Sequence, residues 1–112
     1  MFDNNALQML LDATLANGGA TLTREGFATE GVAVAGIAPA IRVDADGLTV
    51  ELLADAVQVF RNATALGTWL HEGEFWIEPT EVFTDRAEAI RIGRDRGEIA
   101  VYDLGEGEEI TL

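Results

Sequence analysis

Hydrophobic positions recur every three or four residues in the first stretch of the chain. Leu7, Leu10, Leu11 and Leu15, with Thr14 on the same stripe, predict an amphipathic helix over about residues 4–16. Asp3 is placed to cap its first turn, and Phe2 to pack on Leu7 as a hydrophobic staple. Asn17-Gly18-Gly19 ends it, because glycine adopts the left-handed conformation of a helix C-cap without a Cβ clash.

The period then shortens to two. Ala20-Thr21-Leu22-Thr23 alternates like a short strand, and Arg24-Glu25-Gly26 reads as a turn. Gly31 to Ile37 is apolar and β-branched, which predicts a buried strand interrupted by Pro39. Ala40 to Val43 is a further strand, followed by the turn Asp44-Ala45-Asp46-Gly47. Two patterns overlap after that turn. Leu48, Val50 and Leu52 alternate, as a hairpin across Asp46-Gly47 requires. Leu52, Leu53, Ala56, Val57 and Phe60 form a helical stripe, and a helix over about 50–62, entered from a short strand, is the preferred reading.

The last third is more regular. Aromatic-rich runs at 65–70 and 74–78, around His71-Glu72-Gly73, predict a hairpin whose second strand continues past Pro79 to Val82 and Phe83. Pro79 has no N–H to give a ladder, which points to a sheet edge or a bulge. Asp85 and Glu88 have capping-box spacing at the start of a helix that runs to about Arg96. Its core face is Ala89, Ile90 and Gly93, with Ile92 beside it, and Gly93 lets the backbone approach a sheet. Gly97 closes it. Glu98 to Leu104 is a strand ended by Gly105, and residues 108–112 add a short one. The expected fold is α+β: a mainly antiparallel sheet with about three helices, its C-terminal half ordered strand–strand–helix–strand and covered on one face.

Length and composition frame these elements. A chain of 112 residues, 48% hydrophobic, is one domain over residues 1–112 with a core of its own. No run approaches eighteen apolar residues, and Met1 to Asn5 lacks the basic region of a signal peptide, so the expected location is the cytoplasm. The chain has no Cys, Lys or Ser, which excludes disulfides and thiolate metal sites. Only Thr, Tyr102 and carboxylates remain as covalent nucleophiles. There is no phosphate-binding glycine loop: the Gly31 to Gly36 stretch is apolar and has no adjacent Lys. The expectation is a non-enzyme without cofactor or metal.

Charge supplies the other constraint. Twenty acids face seven Arg, for a net charge of -13. Arg86, Arg91, Arg94 and Arg96 meet Asp85, Glu88, Asp95 and Glu98 within one helix region, which is therefore neutral. Intrahelical pairs on a solvated face are the expected state of that cluster. The whole acidic excess lies elsewhere. It repels nucleic acid and anionic membranes and attracts a basic protein.

Three places along the chain have the composition of a site. Asp44, Asp46 and Gly47 share part of a calcium-loop pattern, but the register puts Arg42 and Leu53 at ligand positions, which leaves an Asp-rich turn. His71, the lone histidine, reads as an exposed turn residue. Trp69, Phe75 and Trp76 are the aromatic candidates. Phe75 and Trp76 must point to opposite faces of a strand, and an exposed Trp76 between Glu74 and Glu78 would mark an interface.

The order Trp69, Gly73, Phe75-Trp76-Ile77-Glu78, Asp85-Arg86, Glu88-Ala89, Gly93-Arg94, Gly97, Ile99 to Leu104 and Gly107 to Ile110 resembles small uncharacterised acidic proteins of actinobacteria and their phages. The resemblance covers about residues 66–110 and brings no assigned chemistry. Ala100-Val101-Tyr102-Asp103 is also similar to a strand end in ArdA-type antirestriction proteins, which are acidic DNA mimics.

The expected function is a small acidic protein-binding module, of phage or mobile-element type, acting on a basic host protein such as a nucleic-acid-binding protein. DNA mimicry is its sharpest form. The partner-binding residues are Glu72, Glu74, Trp76, Glu78, Glu81, Asp103, Glu106, Glu108 and Glu109. The alternatives are a structural or self-assembling homo-oligomer, a homodimer being its simplest form, and a small carboxylate-using enzyme. The enzyme requires a deep pocket in which carboxylates converge with His71 or Tyr102.

Overall fold

Each helix begins where a side-chain oxygen takes up an otherwise unpaired amide. The computed structural model describes residues 2–112. Asp3 accepts from the Ala6 N–H at the start of α1 (Asn4–Asn17), Thr49 from Leu52 at the start of α2 (Val50–Val59), and Asp85 from Glu88 at the start of α3 (Arg86–Asp95). Gly18, at φ 82°, closes α1 as expected. The Thr49 cap resolves the overlap after Gly47: Leu48 is buried in no strand, and the helix starts at once. Neither the alternating hairpin nor a leading strand forms there.

Eight strands make one curled antiparallel sheet. They are β1 (Gly19–Thr23), β2 (Gly26–Phe27), β3 (Val32–Val34), β4 (Ile41–Asp44), β5 (Ala65–His71), β6 (Glu74–Phe83), β7 (Ala100–Asp103) and β8 (Glu108–Thr111). The spatial order is β2-β1-β5-β6-β3-β7-β8, with β4 also on β6. The fold is α+β, as the sequence pattern implies.

The hairpin of β5 and β6 is in register from Ala65↔Thr80 to His71↔Glu74. On its other side β6 pairs twice. Glu74 to Ile77 meet β4, and Glu81 to Phe83 meet β3. Pro79 stands between these two stretches, where that side of β6 has no partner. This corrects the expectation of an edge or bulge: β6 is the interior strand, and its proline occupies the place where a missing N–H leaves no bond unmade.

Alternation along the strands puts all three helices on one face. Phe75 and Ile77 join Leu7, Leu10, Leu22, Leu53, Val57 and Leu66 beneath α1 and α2. Val32, Val34, Ala89 and Val101 form a second cluster beneath α3, where a Cβ on Gly93 would lie 2.7 Å from Val101. Phe2 packs on the first cluster, as the staple requires. A buried hydroxyl pair pins α1 to the sheet. Thr14 donates to the Leu10 carbonyl, which leaves Thr68 to donate to Thr14 across 2.6 Å, while Thr68 accepts from the Ala20 N–H. Thr14 thus holds the helical stripe position that its apolar neighbours suggested, and is satisfied there.

Gly31 sets the entry into β3. It has φ +87°, its carbonyl accepts from Leu104, and a Cβ there would stand 2.8 Å from the Phe83 carbonyl oxygen. Gly31→Ala therefore combines left-handed strain with a clash against backbone. We expect it to lose about 2–4 kcal/mol in denaturant unfolding. Unchanged stability would contradict this strand geometry.

Candidate functional site

The face that the helices leave open is concave. Residues from β2 at one end of the sheet to β8 at the other line a single cavity of about 650 Å³. Its walls are built by the same alternation that builds the core. With Phe75 and Ile77 under the helices, Trp76, Glu78 and Thr80 project to the open side. Gly67 and Trp69 stand beside them on β5, Thr21 on β1, Ala33 on β3, Ala100 and Tyr102 on β7, and Glu109 on β8. Gly19, Gly67, Ala33, Ala35 and Ala100 make the trough roomy because their side chains are small or absent.

Two carboxyls stand out in it. Glu78 is half-buried, and its carboxyl is pushed up to about 7 from 4.5, first by burial and then by the charge of Glu98. Glu98 is also raised, again by burial, with Arg96 acting in the opposite direction. Gly36 makes room for the latter group: a Cβ there would lie 2.8 Å from Glu98 Oε2. No arginine lies within ion-pair distance of Glu78, Glu98 or Glu109 among residues 2–112.

The nine residues expected to bind a partner are dispersed. Only Glu78 and Glu109 line the trough. Glu74 is paired with Arg42, and Glu81 with Arg96. Asp103 is buried, holds Arg86 at 3.0 Å and accepts from the Glu106 N–H. Glu108 also meets Arg86, at 3.2 Å. Glu72 is exposed in the β5–β6 turn at φ 51°, and Glu106 is exposed in the β7–β8 turn. Trp76 is not exposed: its ring is half-buried under the Arg42 guanidinium, 4.4 Å from centroid, and its indole N–H has no acceptor.

Two further expectations change. His71 is not an exposed turn residue, since it stacks on Trp69 with ring centroids 4.2 Å apart. The arginines of α3 are not all intrahelical. Arg91 pairs with Glu88 and Asp95 along the helix, but Arg86 and Arg96 reach strands. The Asp44 to Gly47 segment is the turn expected of it, closed by Gly47 N–H to Asp44. No group of three metal-ligating side chains occurs among the described residues.

The sequence does not mark Glu98 as a site residue, because in the linear charge pattern it balances the α3 arginines. The strand alternation that puts Trp76 opposite Phe75 already carries Glu78 to the open face, and that was the available signal.

No protein-family model matches the chain, and no curated protein or solved structure is similar to it.

The raised Glu78 carboxyl makes stability depend on pH with a definite sign. Unfolded, the group loses its proton near 4.5; folded, near 7. Between these values the folded state holds the extra proton, so this group's contribution falls as pH rises from about 4.5 to about 7, and is flat above. The full gap is worth at most ~3 kcal/mol, and solvent at the trough mouth screens part of it. Glu78→Gln should therefore stabilise the protein by about 1–3 kcal/mol at pH 8 and by little at pH 4. Thermal melts of both proteins at the two pH values check this; an equal effect at both contradicts the burial of the carboxyl.

Proposed function

We propose that this chain is a non-enzymatic acidic binding module for a basic protein surface, and that the trough is where the partner engages. The observation that carries this reading is the set of unpaired carboxyls, Glu78, Glu98 and Glu109, on one concave face. Of the three, Glu78 is half-buried with no counter-charge of its own, which a cation supplied from outside would balance. The overall charge of -13 steers a basic protein toward the molecule and keeps nucleic acid and anionic membranes away. No helix among the described residues is long and apolar enough to cross a membrane, which is compatible with a cytoplasmic module. The likeness to small actinobacterial and phage proteins belongs to the same proposal, with a host nucleic-acid-binding protein as the partner.

DNA mimicry is the narrower form, and the geometry supports it less. Imitation of phosphates needs rows of free charge. Glu74, Glu81, Asp103 and Glu108 are instead neutralised by the chain's own arginines. Self-assembly through an edge strand near Pro79 is not available, because β6 is interior, and Glu108 and Glu109 place like charges on the outer strand β8. A carboxylate-using enzyme is favoured by one specific observation: Glu78 and Glu98 share their cavity with Tyr102. Hydrolysis of an aryl glycoside, abolished by Glu78→Gln, would select that reading instead.

The module reading predicts capture of basic proteins from a host lysate, with retention lost between about 50 and 500 mM salt as the Debye length shrinks to a few ångströms. Mass spectrometry of the eluate identifies them. Partners that are neutral or acidic, held equally at both salt concentrations, would contradict it.

A further inference from the structure

The open face carries a built example of how this sheet holds a cation. Arg42 lies over the Trp76 ring at 4.4 Å and pairs with Glu74 on the same strand as that ring. A guanidinium suits such a place because it is flat, stacks on aromatic faces and offers a fork of N–H donors to a carboxylate. The trough repeats the ingredients, with no arginine in ion-pair contact with its carboxyls. Trp69 pairs directly across from Trp76 and lines the cavity, Tyr102 lines it from β7, and Glu78 and Glu98 supply the carboxyls. Gly67 and Ala100 leave space between these groups.

We infer that the trough is a recognition pocket for a guanidinium, and that its occupant is an arginine side chain presented by the basic protein partner. This rests on the binding-module reading and specifies its contact. A lysine ammonium would find the charge but could not use the flat walls or accept a forked pair of bonds, so it should bind more weakly. Occupation also changes protonation. The titratable groups that share the cavity with Glu78 are Glu98, with Arg96 beyond it, Tyr102 on β7 and Glu109 on β8; β1, β3 and β5 bring none to it. A guanidinium favours the ionised form of Glu78, so binding releases a proton below about pH 7.

The test is calorimetric titration of the intact protein with N-acetyl-argininamide, its lysine counterpart and its citrulline counterpart. The arginine compound should bind, at least fivefold tighter than the lysine compound, and the uncharged citrulline compound should not bind. Its affinity should rise up to about tenfold per unit between pH 5 and pH 7 and level off above. Glu78→Gln combined with Glu98→Gln should weaken it at least tenfold. Ala100→Leu, which fills the trough without touching a charge, should do the same, so a loss of binding cannot be assigned to lost charge alone. Folding of each variant is followed by near-ultraviolet circular dichroism. The proposal is overturned if the arginine compound fails to bind, binds the double variant as well as the parent, or is matched by the lysine or citrulline compound. Salt-sensitive capture of a basic protein that survives unchanged in the double variant would also overturn the pocket and the trough as contact site, while leaving an acidic module that binds a basic protein elsewhere. Trough-dependent binding of the arginine compound without any captured protein would keep the pocket and remove the protein-partner reading.

Discussion

The structure turns on one strand that must satisfy three neighbours. β6 is paired along its length with β5, while its other side is shared by β4 and then β3. A proline is tolerated inside a sheet only where no ladder bond is asked of its nitrogen, and residues 78–80 provide that gap. The consequence is a sheet with two halves. One half is covered by α1 and α2 over the larger core, and the other by α3 over a smaller one. With every helix on the same face, the opposite face is left bare and curls into a trough, and the unpaired stretch of β6 places Glu78 and Thr80 in it.

Charge is distributed by the same geometry. The arginines of α3 do not simply balance their own helix: Arg86 ties α3 to Asp103 and Glu108, and Arg96 ties its end to Glu81 and the Ala35 carbonyl. Most of these pairs are partly exposed, so each adds little to stability. Their effect is to neutralise three acids, Asp103, Glu108 and Glu81, within the fold. The carboxyls with the most consequence are the ones left over. Glu78 and Glu98 are both half-buried and raised by that burial, and the charge of Glu98 raises Glu78 further. Ionising Glu78 in that setting costs stability, and on the proposed reading a cation from a partner would offset the cost.

Most of the fold was legible in the sequence because its signals are local. The α1 stripe, the Asp3 and Asp85 caps, the β5–β6 hairpin and the close approach at Gly93 each depend on residues a few positions apart. The overlap at 48–52 was decided by a cap at Thr49, a single hydroxyl that periodicity ignores. Pro79 was misjudged because its meaning depends on where β3 and β4 end, and no local pattern records that. The candidate site was less legible for the same reason. Which acids meet an arginine is fixed by contacts such as Arg96 with Glu81 and Arg42 with Glu74, which link separate elements. Glu78 was named as a binding residue, but its partner in the trough, Glu98, lies on the far side of α3 in the chain.

The central claim is that the bare face of this sheet holds a carboxyl in a poorly hydrated place with no counter-charge of its own. Following the Glu78 side-chain carboxyl carbon by NMR as pH is varied tests this directly. The account predicts a midpoint near 7 in the folded protein. A midpoint at the ordinary glutamate value of about 4.3 would show that the trough is open water, and would contradict the account.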